Sequence, residues 1–543
     1  MSDLLVKELV ANTAYLRAQR QDRNELRKER LSLTLPLPKS SATLQEAEGK
    51  QYESLCEQQP IGRELFRQFL LSCNPQYAAA IEFLDELRGW SSAVDDDQEK
   101  ARQNLVDKFC HSESRSFLSF LKGDSVETGK CFSNILDESS VNQMREATRD
   151  FLRGKPFSEF LRSPFFFRFL QWKEYERQKI SDKYFREFRT LGKGGFGEVC
   201  AVQVRTTGQM YACKKLDKRR LKKKGGERLA LQEKRILAKV NNLFIVNLAY
   251  AYENNTHLCL VMDLMNGGDL RFHIYDLGER GIRMNRVVYY AAQMTMGLLH
   301  LHSLNIVYRD LKPENVLLDA CGHCRLSDLG LAVELPNGKT ICQKAGTTGY
   351  MAPEMLTQQY YSTSVDWWAL GCCIYEMVAA RLPFRDFREK VLKSEVTRRT
   401  LEDLCKFHHK GFDPTTKDVI CCLLKKKVAH RLGCQCDDPR KHPFFKSINF
   451  HLLEARRLEP PWMPKPNVVY AKDTNSFNDT SEVGDIELDA KDENFFKEFS
   501  TGAVTVSWQK EMIDSGLFDE LNRAEKNGHE RAMAWKSKMC VIL

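Results

Sequence analysis

The stretch Gly192-Lys193-Gly194-Gly195-Phe196-Gly197-Glu198-Val199 decides the fold of this chain. The glycines at positions 192, 194 and 197 lack a Cβ atom, so a β-hairpin backbone can close over phosphate oxygens there and direct its N–H groups at them. A strand-like segment, Glu-Val-Cys-Ala-Val, follows the last of these glycines, whereas a dinucleotide-binding fingerprint opens a helix at this point. No Gly-Lys-Ser/Thr sequence closes the stretch, which excludes a Walker loop. The pattern predicts a phosphate-binding flap built on a β-hairpin.

A lysine on the next strand is the expected partner of this flap. Tyr211-Ala212-Cys213-Lys214 has strand character, and in a strand Ala212 and Lys214 lie on the same face. The small Ala212 side chain leaves room for an adenine ring, and Lys214 reaches the α and β phosphates of ATP. Glu233, on the helix predicted to follow, is the expected ion-pair partner of Lys214. The neighbouring Lys234 is expected to be solvated.

Two further motifs carry the groups that phosphoryl transfer needs. In Tyr-Arg-Asp-Leu-Lys-Pro-Glu-Asn, residues 308–315, Asp310 is placed to accept or orient the proton of an incoming hydroxyl, and Lys312 to neutralise the transferred phosphoryl group. Asn315, together with Asp328 of the Asp-Leu-Gly motif, is expected to bind Mg²⁺. Lys312 in this context favours a serine or threonine acceptor over tyrosine. The order and spacing of these motifs predict an ATP-dependent protein kinase.

The remaining predicted contacts with ATP rest on the spacing of the segments around these motifs. Asp263 to Met265 should form the hinge behind the adenine ring, with Met262 facing the nucleotide and Asp269 near the ribose. The predicted ATP-binding residues are Leu191 to Val199, Lys214, Glu233, Met262, Asp263, Met265 and Asp269.

Three charged residues are expected to be structural rather than catalytic. Glu354 of the Ala-Pro-Glu motif should form a buried ion pair with Arg431. Asp366 should brace the catalytic loop.

The segment between the Asp-Leu-Gly and Ala-Pro-Glu motifs has no well-placed phosphate acceptor. Gln343 and Lys344 stand a few residues before Gly346, where a serine or threonine would be expected in a kinase that is switched by phosphorylation. Another contact is therefore expected to close the two lobes.

Composition excludes several classes of protein. With 543 residues, the chain has room for a two-lobed catalytic unit and at least one further domain. Hydrophobic residues at 42% and charged residues at 29% are ordinary for a soluble protein, and no apolar run of about 18 residues suggests a membrane span. The first residues lack the apolar stretch of a secretory signal. The 18 cysteines are scattered, which favours reduced thiols without disulfides.

Closely spaced cysteines leave zinc binding as an alternative. The pairs are Cys321-x-x-Cys324 and Cys434-x-Cys436. Because the first pair brackets a turn at Gly322, where small apolar residues are expected anyway, we favour packed thiols.

The charge of the chain is unevenly distributed. The net charge is +9, residues 214–224 hold eight basic side chains, and residues 473–498 are acidic. Such asymmetry favours an anionic partner surface. No aromatic-interleaved nucleic-acid motif is present, so a membrane surface is expected and nucleic acid is not.

The apolar pattern divides the chain into segments. The apolar residues between positions 4 and 16 recur at helical spacing, which predicts an amphipathic helix there. Residues 56–173 have apolar residues at helical spacing throughout, which predicts a helical bundle. Strand character begins near Phe188, continues to Met262 and gives way to long helical patterns. The aromatic cluster at 495–499 is expected to dock on the lobes, and one last helix is predicted from Trp508 to Leu521. The predicted fold is α+β, with a small β-rich lobe and a large helical lobe beside an all-α bundle.

Several motifs resemble the AGC group of kinases. Tyr308 replaces the usual histidine, and the tail contains Val469-Tyr-Ala-Lys-Asp473 and Phe495-Phe-Lys-Glu-Phe499. Asp328-Leu-Gly330, Met265-Asn-Gly-Gly-Asp-Leu270, Asn12-Thr-Ala-Tyr-Leu16 and Leu55-Cys-Glu-Gln-Gln-Pro-Ile-Gly62 narrow this further. The whole chain resembles the G-protein-coupled receptor kinases of the visual, opsin-kinase subfamily, and within it the cone opsin kinases.

This resemblance implies a domain order. The bundle would be a regulator of G-protein signalling homology domain, interrupted in space by the kinase and rejoined by a C-terminal helix. The expected segments are an N-terminal amphipathic, receptor-sensing segment (1–30), the homology domain (56–172), the kinase domain (188–445), an AGC extension (446–511), a C-terminal helix and tail (512–539) and a prenylation motif (540–543).

The resemblance also implies a substrate and partners. The substrate would be a light-activated opsin whose cytoplasmic serine and threonine residues are phosphorylated, which leads to arrestin capture and receptor shutoff. Binding of a G-protein α subunit by the homology domain stays open, and we favour a structural brace. Regulation of the N terminus by a calcium-sensor protein also stays open. Three alternatives stay open for residues 4–16: a frayed end, a helix that lies on the membrane, or a segment that becomes ordered against the small lobe when active receptor is present. The resemblance implies the third.

The last four residues fit a lipidation motif. Cys540-Val-Ile-Leu543 is a C-a-a-X box whose terminal leucine favours geranylgeranyl. One prenyl chain anchors only marginally, so basic residues such as Lys536 and Lys538 would have to help at an anionic leaflet. The expected location is peripheral, on the cytoplasmic face of photoreceptor outer-segment membranes.

Four hydroxyl residues are candidate phosphorylation sites. Ser32 follows a basic segment of the kind that basophilic kinases recognise, although Glu29 makes the match to such a motif weaker. Ser476, Thr480 and Ser481 lie in the acidic tail, for which a solvated linker without phosphorylation is the alternative. A general AGC kinase of soluble substrates and a non-catalytic scaffold are the competing functions for the whole chain. The intact catalytic residues argue against the scaffold.

Overall fold

The chain folds into two compact units. Residues 180–504, together with the N-terminal segment up to Lys28, form one unit, and residues 29–179 together with the segment that begins at Thr505 form the other. The structure is a computed structural model that describes residues 23–36, 51–91, 95–111, 113–121, 138–194, 197–336, 338–386, 389–435, 437–465, 468, 470 and 490–524. In these ranges no helix combines the length and the apolar character that crossing a bilayer requires. The cysteines described there are free thiols.

The first part of the chain is a helical bundle. Its core forms because apolar residues recur at helical spacing: Leu65, Phe66, Phe69 and Leu70 are all buried on one helix. The ring of Phe66 meets that of Phe160 edge to face, with centroids 5.1 Å apart. Helix α1 (Arg23–Arg30) comes before the bundle, and its residues up to Lys28 belong to the other unit. The helices of the bundle are α2 (Pro60–Cys73), α3 (Pro75–Ser91), α4 (Asp95–Phe109), α5 (Glu138–Arg153), α6 (Lys155–Phe160) and α7 (Pro164–Glu176).

The sheet of the kinase unit follows. Its six strands are antiparallel and lie in the order β1 (Phe185–Gly194), β2 (Gly197–Val204), β3 (Met210–Asp217), β5 (His257–Asp263), β4 (Leu248–Glu253) and β10 (Gly502–Ala503). The first strand begins at Phe185, close to the predicted onset at Phe188. The elements are β1 (Phe185–Gly194), β2 (Gly197–Val204), β3 (Met210–Asp217), α8 (Lys218–Lys223), α9 (Glu227–Lys239), β4 (Leu248–Glu253) and β5 (His257–Asp263).

The large lobe is mainly helical. Its centre is a long helix on which Tyr290, Ala291, Met294 and Leu298 are completely buried. This helix packs against a second helix, which contains Trp367 and Trp368 and is apolar along almost its whole length. The elements are α10 (Leu270–Tyr275), α11 (Met284–Ser303), β6 (Ile306–Val307), β7 (Val316–Leu318), β8 (Cys324–Leu326), β9 (Val333–Glu334), α12 (Pro353–Leu356), α13 (Ser364–Ala379), α14 (Lys393–Glu402), α15 (Pro414–Leu423) and α16 (Phe450–Glu454).

The predicted ion pair of the large lobe is present. Arg431 donates from Nη1 and Nη2 to the two carboxylate oxygens of Glu354 over 2.6 and 2.9 Å, and both side chains are buried. The two parallel hydrogen bonds compensate the guanidinium and the carboxylate for the loss of hydration on burial.

The tail returns to the sheet through α17 (Ala490–Phe499) and β10 (Gly502–Ala503). Phe496 and Phe499 are buried, and the ammonium group of Lys218 lies 4.1 Å from the centre of the Phe496 ring. The prediction that Lys234 is solvated was wrong: its side chain is buried, and Nζ donates to the carbonyl oxygen of Glu498 over 3.5 Å. The tail helix α17 covers the face of α9 that carries Lys234, a face that would be expected to be exposed from the sequence of α9 alone.

Two helices complete the bundle rather than one. The single helix predicted from Trp508 to Leu521 is divided into α18 (Thr505–Asp514) and α19 (Leu517–Ala524), because Gly516 adopts a left-handed φ of +75° between them. The buried ring of Trp508 lies 6.1 Å from that of Trp172. The expected boundary between residues 511 and 512 therefore falls inside α18.

Candidate active site

The glycine-rich hairpin joins β1 to β2, with Gly194 paired to Gly197 at its tip. Gly197 is also required by packing inside the sheet. A Cβ atom on Gly197 would lie 1.9 Å from the carbonyl oxygen of Lys215, so the close approach of the next strand, β3, requires a glycine here. A Cβ on Gly192 would meet no atom within 4 Å. Gly195, Phe196 and the side chain of Lys193 lie outside the described residues.

Lys214 stands on the sheet face that continues from the hairpin. The register pairs it with Val199 on one side and Leu260 on the other, so the three side chains share a face. Its Nζ lies 2.7 Å from Oε1 of Glu233 and 3.5 Å from Oδ1 of Asp328. Burial opposes the charge on Lys214, but the two carboxylates outweigh it and raise the pKa of the amine above its ordinary value. The amine therefore stays protonated and joins the small lobe to the large one.

The adenine side of this face is lined by small or flexible residues. Ala212 pairs with Ala201 and with Met262, which places the three side chains together. Asp263, in contrast, is committed elsewhere: its carboxylate accepts from Arg325 and its backbone N–H donates to Asn247.

Asp269 begins α10. Its Oδ1 accepts a hydrogen bond from the backbone N–H of Phe272 over 2.8 Å, which caps the helix. Burial raises the pKa of its carboxyl group, and the helix N–H groups oppose that shift. Met265 lies half-buried in the segment between β5 and α10.

Asp310 is the centre of the catalytic loop. Its Oδ2 accepts from Nζ of Lys312 over 2.6 Å and from Nδ2 of Asn315 over 3.0 Å. Its Oδ1 accepts from the hydroxyl of Thr347 over 2.7 Å, and Lys312 donates to that hydroxyl over 2.9 Å. Sequence reasoning missed Thr347, although its place directly after Gly346 was a usable signal. The loop therefore holds a carboxylate, an ammonium and an exchangeable hydroxyl together.

Asn315 and Asp328 offer oxygen atoms suited to Mg²⁺. The side-chain nitrogen of Asn315 is committed to Asp310, which leaves its Oδ1 as the atom able to face a cation. Asp328 has a left-handed φ of +51°, and its side chain is half exposed. Carboxylate and amide oxygens are the protein ligands that Mg²⁺ prefers, so the donor set fits this ion.

Asp366 holds the backbone of the catalytic loop, as predicted. Its Oδ2 accepts from the N–H of Tyr308 over 2.9 Å, and its Oδ1 accepts from the N–H of Arg309 over 2.8 Å. The hydroxyl of Tyr308 donates to the carbonyl oxygen of Ser327. This last contact joins the loop to the segment that presents Asp328.

The cysteine pair considered for zinc is divided between two environments. Cys324 is buried, with Sγ 3.7 Å from the carbonyl oxygen of Tyr290, whereas Cys321 is exposed. Cys436, of the other pair, lies outside the described residues.

Comparison with known proteins places the chain in a family. Residues 185–445 match the protein kinase domain, and residues 51–169 match the regulator of G protein signaling domain. The chain is 61% identical to "Rhodopsin kinase grk7-b" of Danio rerio over the full length of both chains. It is 54% identical to "Rhodopsin kinase grk7-a" of Xenopus laevis and 53% identical to "Rhodopsin kinase GRK7" of Homo sapiens, with 98% of each chain covered. The chain therefore belongs to the family of rhodopsin kinases and is a protein kinase that carries a regulator of G protein signaling domain.

Proposed function

We propose that this protein kinase transfers the γ-phosphate of ATP to serine and threonine residues on the cytoplasmic side of light-activated opsin, and so promotes deactivation of the receptor in phototransduction. The names of its relatives, which are rhodopsin kinases, support this substrate. The observation that carries the chemistry is the cluster around Asp310, in which Lys312, Asn315 and Thr347 all contact one carboxylate.

Each residue of the cluster has a proposed role. Asp310 orients the acceptor hydroxyl and takes up its proton, and Lys312 neutralises charge on the group being transferred. Asn315 and Asp328 would hold Mg²⁺, which supplies positive charge at the phosphates when it is bound. Lys214, held by Glu233, positions the α and β phosphates.

The nucleotide is proposed to lie between the hairpin and the hinge. Leu191 to Val199 would cover the phosphates, Met262 would face the adenine, and the backbone of Asp263 to Met265 would pair with its edge. Asp269 would approach the ribose. The shared face of Ala201, Ala212 and Met262 supports this placement because it leaves space for a flat ring.

Membrane attachment is proposed from sequence alone. Cys540 is the proposed geranylgeranylation site, and Lys536 and Lys538 would help at the anionic leaflet of photoreceptor membranes. These residues, like residues 4–16 and the candidate phosphorylation sites Ser476, Thr480 and Ser481, lie outside the described residues. Replacing Cys540 with serine should move the protein from membranes to the soluble fraction, and unchanged sedimentation would contradict the proposal.

The helical domain is proposed to act as a structural brace. It is compact, and α18 is built into it: Gln509 donates to Oε1 of Gln59 over 3.0 Å and accepts from the N–H of Ile61 over 2.9 Å. We propose the same domain order as the one expected from the sequence.

One assay tests the proposed substrate. Purified protein, Mg-ATP and photoreceptor membranes are compared in light and in darkness, with Asp310→Asn as the inactive control. We expect phosphate on opsin in the light sample only. Equal labelling in light and darkness would indicate a kinase indifferent to the receptor, and receptor binding without labelling would indicate a scaffold.

A further inference from the structure

Three side chains of the kinds that bind transition metals meet on the large lobe. Asp418 and Cys422 lie on α15, and His442 is the residue before the turn Pro443–Phe445. A carboxylate oxygen, the thiol sulfur and a ring nitrogen all lie within 4.8 Å of one another. The ligands of a tetrahedral zinc ion lie about 2.0–2.3 Å from the metal and therefore roughly 3–4 Å from one another, so a small movement brings these three atoms into place. None of the proposed roles above uses these residues.

Helix α15 determines where two of these groups point. Asp418 and Cys422 are four residues apart, so their side chains lie one turn apart on the same face of the helix. Val419, Ile420 and Leu423 lie on a different face and are buried in the core of the lobe. Core packing therefore turns the face that carries the carboxylate and the thiol outward, where a dissolved cation can reach it.

His442 is held by the segment that follows it. Phe444 and Phe445 are buried in the same core, with their ring centroids 5.0 Å apart. Nδ1 of His442 accepts a hydrogen bond from the N–H of Phe444 over 3.1 Å, and Nε2 lies 3.2 Å from Oδ2 of Asp418. The His442 side chain is 8% exposed and that of Asp418 is 66% exposed. A nearly buried imidazole of fixed orientation thus faces a carboxylate that solvent reaches.

No lysine or arginine neutralises the carboxylate of this cluster. Among the residues that the structure describes, Asp418 is paired with His442 alone. A second cluster of metal-binding types, in the small lobe, differs in this respect: Nζ of Lys215 lies 2.6 Å from Oε2 of Glu187 and 4.0 Å from Oε1 of Glu198. An ammonium group already supplies the positive charge there, whereas the cluster on α15 still lacks one.

We propose that Asp418, Cys422 and His442 form a binding site for Zn²⁺, with a carboxylate oxygen, the thiolate and Nε2 as three ligands and a water molecule as the fourth. Oxygen, sulfur and nitrogen together suit zinc, whereas Mg²⁺ and Ca²⁺ take oxygen ligands. Bound zinc joins α15 to residues 442–445 and so stabilises the large lobe. The inference goes beyond the proposed function and does not depend on it.

Binding of the metal changes the position of two protons. The Cys422 thiol releases its proton to solvent, because the thiolate is the form that binds zinc. In the metal-free protein the hydrogen bond from the N–H of Phe444 leaves the ring proton of His442 on Nε2. That proton moves to Nδ1 when Nε2 binds the metal, and the N–H of Phe444 loses its acceptor. Zinc binding therefore exchanges one hydrogen bond for a metal–nitrogen bond.

Titration of the metal-free, full-length kinase with Co²⁺, followed by Zn²⁺, tests the proposal. Co²⁺ occupies zinc sites, and its binding to a thiolate gives a charge-transfer absorption band. Because the chain has 18 cysteines, the quantity measured is the difference between the wild type and Cys422→Ser. We expect the variant to lose a band that corresponds to one equivalent of Co²⁺ and that Zn²⁺ abolishes in the wild type. Cys421→Ser, at the neighbouring exposed cysteine, is the matched control and should titrate like the wild type.

A second variant separates metal binding from folding. In His442→Asn, the side-chain oxygen can still accept from the N–H of Phe444, so the turn is kept while the metal ligand is lost. Affinity for Zn²⁺ should fall about hundredfold, and the rise in melting temperature that Zn²⁺ gives the wild type should disappear. If this variant fails to fold, the comparison of Cys422→Ser with Cys421→Ser still decides. Equal cobalt bands in the wild type and Cys422→Ser, or a band lost in Cys421→Ser instead, would overturn the proposal.

Discussion

Arg309 donates from Nη1 to Oε1 of Gln343 over 2.8 Å, and from Nε to the carbonyl oxygen of Leu331 over 2.7 Å. Gln343 is in turn held by Tyr361, whose hydroxyl donates to its carbonyl oxygen over 2.6 Å. A neutral amide thus contacts Arg309 at a position where a serine or threonine would be expected in a kinase that is switched by phosphorylation. These hydrogen bonds join the segment before Gly346 to the catalytic loop.

The first prediction concerns this amide. Gln343→Ala should lower kcat about three- to tenfold, because one hydrogen bond to a charged group is lost. Gln343→Glu should retain activity, since a carboxylate also accepts from Arg309. Lys344→Ala, at the neighbouring exposed position, is the control. Initial rates with a peptide acceptor measure the effect, and full activity of Gln343→Ala would contradict it.

The second prediction concerns the ion pair between Lys214 and Glu233 within the small lobe. Glu233→Gln should lower kcat/KM about ten- to a hundredfold, because Lys214 loses its nearer carboxylate at 2.7 Å. Glu227→Gln, the same substitution on the same helix, should have little effect. If both variants lose activity equally, the loss reflects damage to α9 and not the pair with Lys214.

The third prediction separates the base from its support. Asp310→Asn should lower kcat about 10²- to 10⁴-fold while ATP still binds. Thr347→Ala should lower kcat less, and Thr347→Ser should restore it, because serine keeps the hydroxyl that donates to Asp310 over 2.7 Å. Single-turnover rates and nucleotide titrations measure the two properties. Wild-type turnover of Asp310→Asn would overturn the assignment of the base.

The fourth prediction concerns stability of the large lobe. Arg431→Ala should cost about 3–5 kcal/mol, because it leaves Glu354 buried without its bidentate partner. Arg398→Ala removes an arginine from exposed contacts with Glu395 and Glu402 and should leave unfolding unchanged. Denaturant titration compares the two variants, and equal stability would refute the prediction.

The fifth prediction concerns the helical domain. Trp508→Ala should destabilise it by about 3–5 kcal/mol, because a buried ring that contacts Trp172 is removed. Leu71→Ala, on α2 of the same domain, changes a side chain that is half exposed and should have little effect. Calorimetry of the full chain should show the helical transition shifted to lower temperature in the first variant only.

Local sequence was sufficient to predict the chemistry of this protein. The catalytic groups occur in short motifs whose order along the chain reflects the order of strands and loops, and strand alternation placed Ala212 and Lys214 on one face. The ion pairs of Lys214 with Glu233 and of Glu354 with Arg431 were also predicted, because one residue of each pair belongs to a recognisable motif.

Only the tertiary structure decided which side chains those motifs meet. Four contacts found only in the structure join residues that are distant in the sequence. They are the contact of Lys234 with the tail helix, of Gly197 with β3, of Gln343 with Arg309 and of Glu376 with two tyrosines. Hydrophobic periodicity and motif spacing describe one segment at a time, so they carry no information about which distant segment packs against it. Burial and pairing of a charge are properties of that packing, and they follow from the folded chain alone.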